Sequence, residues 1–175
     1  MRKVTYGGAC SLDGFIAGKD GAVDWLHFSR DAQQIMKDSW ENFDTVLMGR
    51  KTFEVSARTG GGGGSFGDIK TYVFSRTLDP KSYPGLTVVS EDAGAFVRRL
   101  KESEGKEICV MGGGELARSL FDAGVIDEVG FNIHPILLGS GVPAFLAMTR
   151  RTQLELLECR RIDGGCVYVT YRVNA

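Results

Sequence analysis

An α/β fold built on a mixed sheet is what this sequence predicts, and three observations predict it. Short β-branched and apolar runs alternate with segments of helical spacing along most of the chain. Two of the apolar runs end in glycine junctions, at 49–52 and at 112–114, that open a helix. The last two runs are joined through Asp163-Gly164-Gly165, which reads as a hairpin that sets an antiparallel pair at the sheet's edge.

Taken in order, the strands fall at 3–9, 45–48, 71–74, 86–90, 107–111, 128–138, 154–162 and 166–173. Helical periodicity runs through Ala32, Ile35, Met36, Trp40 and Phe43. A second helix begins at Thr52-Phe53-Glu54-Val55, directly after the first glycine junction. Ala93, Phe96, Val97 and Leu100 mark a third, and Leu116, Ala117, Leu120 and Phe121 a fourth. Gly105 and Gly124 are the expected stops of the last two. Five consecutive glycines at 60–64 are too costly in entropy to hold regular structure, so they form a loop, either a tolerated insertion or a flap beside a ligand cleft. No repeat or linker divides the chain, and residues 1–175 are expected to form one domain.

With 43% hydrophobic and 25% charged residues the composition is that of an ordinary globular domain, and a net charge of −1 points to neither nucleic acid nor an anionic membrane as partner. No apolar stretch is long enough to span a bilayer and no leader is apparent, so a cytoplasmic location is expected. Cys10, Cys109, Cys159 and Cys166 lie far apart and read as reduced core residues. With His27 and His134 alone to help them, no metal site is expected, and both histidines read as structural.

The chemistry concentrates at the two junctions. At Val46-Leu47-Met48-Gly49-Arg50-Lys51-Thr52 a buried strand gives way to a glycine, two cations and a hydroxyl at a helix N-terminus, which suits a phosphate ester. At Met111-Gly112-Gly113-Gly114-Glu115-Leu116 a second strand runs through three glycines into a helix, another place where N–H groups converge. The pattern Gly112-x-Gly114-x-x-Ala117 meets the letter of the dinucleotide fingerprint, but it lies late in the chain and lacks the acid that ends the following strand. A doubly wound dehydrogenase therefore fits poorly, and the first junction lacks the leading glycine of a triphosphate-binding loop.

In sequence order, Ala9, Ile16-Ala17, Trp25, Met48-Gly49-Arg50-Lys51-Thr52, Ser75-Arg76 and Met111-Gly112-Gly113-Gly114 resemble dihydrofolate reductase. Residues 11–17 and 135–143 are similar to the reductase domain of bacterial riboflavin biosynthesis, the RibD C-terminal domain, and its small stand-alone relatives. The resemblance implies a three-layer dihydrofolate reductase-like fold with a mixed, mainly parallel eight-stranded sheet and a C-terminal antiparallel hairpin. It also implies an NADPH site. In that site Gly49, Arg50, Lys51 and Thr52 hold phosphates, Ser75 and Arg76 receive the phosphate on the adenosine ribose, and Ala9, Ile16 and Ala17 lie at the nicotinamide end. The glycine turn at 112–114, where a cis Gly-Gly bond is typical of the family, lies beneath the pyrophosphate, with Met111, Glu115 and Leu116 beside it.

The substrate side is less defined. The resemblance makes Asp31, Asp24 and Trp25 the catalytic candidates, although Asp31 behind an N-cap Ser29 suits a first helical turn without any catalytic duty. Lys19, Lys37 and Arg58 are available for a substrate phosphate. The expectation is an NADPH-dependent reductase of a small heterocyclic (pterin or pyrimidine-like) or carbonyl substrate; a non-catalytic NADP-binding module and a true dihydrofolate reductase are the alternatives. Relatives of this type are usually homodimers, and residues 135–143 with Phe145 and Leu146 offer an apolar contact for one, against a purely internal role.

Overall fold

The computed structural model describes residues 1–58, 67–83 and 85–174, so the five glycines at 60–64 lie outside the described residues. Its strands are β1 (Val4–Ser11), β2 (Phe15–Ala17), β3 (Phe43–Gly49), β4 (Lys70–Phe74) and β5 (Thr87–Val89), followed by β6 (Glu107–Gly112), β7 (Glu128–His134), β8 (Val142–Pro143), β9 (Gln153–Arg161) and β10 (Val167–Asn174). The helices are α1 (Arg30–Asn42), α2 (Arg50–Arg58), α3 (Ala93–Glu102) and α4 (Gly114–Asp122). Eight strands form one sheet in the order β5-β4-β3-β6-β1-β7-β10-β9, and β2 pairs with β8 in a separate two-stranded piece. Strand β10 runs antiparallel to both β7 and β9, while the other pairings in the large sheet are parallel. The expected mixed, mainly parallel eight-stranded sheet with its C-terminal hairpin is therefore present.

Alternation along the strands divides the core into two layers. On β3, Leu47 joins Val97, Leu120 and Phe121 of α3 and α4 on one face, while Val46 and Met48 join Phe53 and Trp40 of α2 and α1 on the other. Phe53 is fully buried and meets the Tyr83 ring edge-on at 4.9 Å, which anchors α2. At the end of the sheet remote from the glycine junctions, buried Arg2 pairs with Asp44 and donates to the Lys106 carbonyl at 2.6 Å. Lys101, also buried, reaches Asp127 at 2.6 Å, and the same carboxylate accepts the Val4 N–H at 2.8 Å.

Three local readings need correction. Gly105 does not stop α3, which ends at Glu102 with Ser103 as its cap; a Cβ at Gly105 would lie 2.6 Å from Asp44 Oδ2 and 2.9 Å from Arg2 Cζ, so the glycine makes room for the ion pair. The strand expected at 128–138 ends at His134, because Pro135 has no N–H to donate to a ladder. Cys159 is exposed on β9 rather than in the core, although all four thiols are free. Gly124 does close α4 in the left-handed region, with φ 66°.

Candidate functional site

The N-termini of α2, α3 and α4 open on one groove at the C-terminal ends of β3 to β6, with a volume of about 720 Å³. Each helix follows a strand of the parallel region, so their unpaired N–H groups and positive dipole ends face the same space. Capping separates them. Asp92 caps α3 by accepting the Ala95 N–H at 2.8 Å, whereas α4 starts from Gly113 with no side chain on its first N–H groups. That leaves donors for an anion.

Most of the expected cofactor residues meet here. Gly49, Arg50, Lys51 and Thr52 form one wall, with Ser75 and Arg76 beside them. Gly113, Gly114, Glu115 and Leu116 form the facing wall. The two junctions nearly touch: a Cβ on Gly49 would stand 3.6 Å from the Gly113 nitrogen, and one on Gly113 would stand 3.3 Å from Thr52 Oγ1. Gly114 is packed closely, since a Cβ there would lie 3.0 Å from Pro143 O and 3.1 Å from Leu146 Cγ. The Gly112–Gly113 peptide bond is cis, as the resemblance implies. Ser75 is tied in place, its N–H donating to Val89 O at 2.9 Å and its hydroxyl accepting the Leu78 N–H at 2.9 Å.

The groove is lined by three cations, Arg50, Lys51 and Arg76, and three acids, Glu91, Asp92 and Glu115, so what favours an anion is the helix N-termini rather than a net charge. Arg50 holds Glu54 at 2.8 Å one turn along, an exposed pair worth about 0.3–0.5 kcal/mol, so its guanidinium exchanges easily to a phosphate. The acids on the α3 side are engaged, Glu91 with Arg99 at 2.7 Å and Asp92 in its cap. These acids did not stand out in the sequence, and the 141–143 and Leu146 wall, singled out there as a family motif and an apolar contact surface, lines the groove instead.

Across Gly112 from this groove lies a second cavity, of about 320 Å³, between α1 and the sheet. Met111 lines the cavity and Gly113 lines the groove, so one residue separates the two. The cavity exists because the sheet beneath α1 carries Thr5, Gly7, Ala9 and Gly130, side chains too small to fill the space. Ile35, Met36 and Trp40 cover it from the helix. The α1 stripe seen in the sequence thus faces a cavity, and no residue of α1 is buried. Asn132 sits between Ala9 and Tyr168, its direct partners on β1 and β10. Its Oδ1 is buried without a hydrogen-bond partner among the described residues. Burial raises the Tyr168 hydroxyl above the ordinary tyrosine range, so it stays protonated, with Ser39 beside it. Burial likewise pushes the Cys109 thiol, also on the lining, up to about 12.

Ala9 lines this cavity, Ile16 approaches Gly112 from β2, and Ala17 is buried in β2. The three catalytic candidates are placed elsewhere. Asp31 is exposed and accepts the Asp163 N–H at 3.2 Å, and Asp24 is exposed; neither is among the lining residues. Ser29 caps α1 through the Ala32 N–H at 3.1 Å, which makes Asp31 a first-turn acid. Trp25 packs edge-on against His134 at 5.3 Å, its buried Nε1 lacking a partner among the described residues, and does not line the cavity. His134 accepts the His27 N–H at 3.1 Å through Nε2 and has Nδ1 3.3 Å from Asn132 O, a structural histidine with both nitrogens engaged.

The 11–17 and 135–143 segments dock on each other. Asp13 accepts the Ser11 hydroxyl at 2.6 Å and the Leu138 and Gly139 N–H groups at 3.1 and 2.7 Å. The Ser11 bond, with the backbone donors behind it, outweighs desolvation and holds the carboxyl below its usual range. Among the described residues no group of three or more His, Cys, Asp or Glu is arranged to hold a metal ion, and no helix is long and apolar enough to cross a membrane.

Comparison with known proteins gives the same outline. The chain is 36% identical over 172 residues to the uncharacterized protein YwjB of Bacillus subtilis (strain 168), with 97% of each covered. It superposes on a Shewanella sp. PV-4 protein provisionally assigned to riboflavin biosynthesis with a TM-score of 0.86, at 24% identity and full coverage of both chains. A dihydrofolate reductase of Enterococcus faecalis complexed with NADP(H) gives a TM-score of 0.73 at 17% identity, over 99% of this chain and 97% of that one. The family model of the RibD C-terminal domain matches residues 2–168, and the chain belongs to that family.

Proposed function

We propose that the protein is an NADPH-dependent reductase that delivers hydride to a small heterocyclic (pterin or pyrimidine-like) or carbonyl substrate. One observation carries this reading: three helix N-termini and the cations Arg50, Lys51 and Arg76 converge on a groove that meets a mainly apolar cavity at Met111-Gly112-Gly113. The residues present suit such a cofactor. Gly49 and Gly113 let backbone approach a pyrophosphate, α4 has uncapped N–H groups, and Arg50 and Arg76 supply planar forks for phosphate. When bound, the cofactor supplies a hydride from its nicotinamide ring. The chain's part is to orient and desolvate: Ala9 and Met111 offer apolar surface on the cavity side of the junction, Ile16 lies beside Gly112, and α1 covers the cavity from one side.

The absence of Asp and Glu from the described lining residues weighs against a dihydrofolate reductase, since no carboxylate is placed to grip a pterin. The same observation favours, as the second reading, a module that binds NADP without turnover. Incubation with NADPH deuterated on the transferring carbon and a panel of heterocycles and carbonyl compounds separates them. The reductase reading expects loss of reduced-nicotinamide absorbance together with deuterium in the product; tight NADPH binding with no deuterium transfer to any compound points to the module. Four free thiols fit a reducing cytoplasm. A homodimer through the exposed Leu12, Ile136 and Leu137 completes the proposal.

A further inference from the structure

We infer that His134 is a pH-sensitive latch on the wall of the α1 cavity: its neutral ring holds residues 26–28 against the sheet, and a second proton on that ring releases them. Leu26, His27 and Phe28 line the cavity and lead through the cap residue Ser29 into α1. Two of the hydrogen bonds this segment makes are local: the Leu26 N–H donates to Val23 O at 3.1 Å, and Phe28 O accepts the Gln33 side chain at 3.0 Å. Among the described residues, the bond that crosses from 24–28 to the sheet is the His27 N–H to His134 Nε2, at 3.1 Å.

A backbone N–H can only donate, so Nε2 is the acceptor and carries no proton. The proton of the neutral ring then sits on Nδ1, 3.3 Å from the Asn132 carbonyl oxygen. Protonation at Nε2 sets donor against donor. His134 is only 3% exposed, so its imidazolium is denied bulk water, and no ion pair or hydrogen bond joins it to a carboxylate among the described residues. The charged ring is accommodated by letting 26–28 go. The sign follows: the latch is fully present while His134 is neutral and is lost as pH falls and the ring takes up its proton.

The groups around His134 leave the histidines as the ones that switch. On β1 its direct partner is Ser11, whose hydroxyl goes to Asp13, and that carboxylate already accepts the Leu138 and Gly139 N–H groups. The segment before α1 brings Trp25, edge-on at 5.3 Å, with exposed Asp24, His27 and Arg30. From α1 and the turn at 163–165 come Asp31, which holds the Asp163 N–H, and Gly164, where a Cβ would lie 2.5 Å from His27 Cδ2. On β10 the Cys166 thiol and the Tyr168 hydroxyl are both raised by burial and stay neutral, with Arg160 5.7 Å from the Tyr168 ring. Histidine is the side chain that ordinarily changes charge between about pH 5 and pH 8, and the chain has only His27 and His134.

The test is NMR on the isotope-labelled full chain between about pH 8 and pH 5, above the acid range in which Asp13 loses its charge. Long-range proton–nitrogen spectra at the alkaline end are expected to show His134 as the Nδ1–H tautomer. The His27 amide is expected to be protected from hydrogen exchange there and to lose roughly tenfold or more of that protection at the acidic end, corrected for the intrinsic pH dependence of exchange, while amides of β3 keep theirs. His134→Gln puts a non-titrating carbonyl acceptor within reach of the same N–H and should hold the protection at both ends. His134→Leu, with no acceptor, should lack it at both. His27→Gln keeps the backbone N–H and should keep the transition. An Nε2–H tautomer at the alkaline end, a smaller loss of protection in the wild type, or a transition abolished in His27→Gln overturns the inference. Should His134→Leu fail to fold, His134→Gln decides alone: a transition that persists in it overturns the latch.

Discussion

Asp13 ties two distant motifs together with one carboxylate, and its partners are a hydroxyl and two backbone N–H groups rather than a cation. Its carboxyl titrates below the ordinary 3.8, so the sign of its linkage is fixed: it supports the fold fully above about pH 4, and that support is lost as pH falls through the lowered value. Melting temperature measured from pH 6 down to pH 3 is therefore expected to fall more steeply in the wild type than in Asp13→Asn, and identical slopes would remove the assignment. Cys109, raised to about 12 by burial, is almost wholly protonated at neutral pH and should resist iodoacetamide in the native protein. Exposed Cys159 should be the first thiol labelled, as read by peptide mass spectrometry. The sequence named all four cysteines as free and erred on where Cys159 lies, because Leu154, Leu156 and Leu157 give β9 an apolar look although every residue of that strand is exposed at the sheet's edge.

Helix α2 joins the groove to the core, since its N-terminus carries Arg50 and Lys51 and its inner face carries fully buried Phe53. Phe53→Ala should cost about 3–5 kcal/mol, seen in chemical denaturation, and should also weaken NADPH because the helix start loses its anchor. Denaturation curves that overlay those of the wild type would contradict this. The elements that sequence located well, β3, β6 and the helices after them, are those whose apolar run and glycine break coincide. Strands β2 and β8, of three and two residues, were invisible because no periodicity exists at that length. Helix α1 was located, but its stripe of Ala32, Ile35, Met36 and Trp40 reads the same whether it faces a packed core or a cavity; the difference lies in Gly7 and Gly130 on remote strands. Hence the groove was legible as local motifs, and the cavity, assembled from β1, α1, β7 and β10, was not.

At the scale of the whole molecule, the sheet order brings β3 and β6 side by side and so sets both glycine junctions at one edge, which no single segment specifies. Exposed Leu12, Ile136 and Leu137 lie on the two docked segments beyond that edge, and sedimentation should show a dimer that Leu137→Asp dissociates; a monomer at high concentration in the wild type would exclude it. The reductase reading depends on the groove recognising NADPH through Arg50 and Arg76. The most direct test is a titration with NADPH and NADH, followed by tryptophan fluorescence, on the wild type, Arg50→Ala and Arg76→Ala. Saturable binding that prefers NADPH is predicted, with each substitution weakening it by about tenfold to a hundredfold, the size of one charge-assisted hydrogen bond, and Arg76→Ala also narrowing the preference over NADH. Equal affinity for the two nucleotides in all three proteins, or no binding at all, would contradict it.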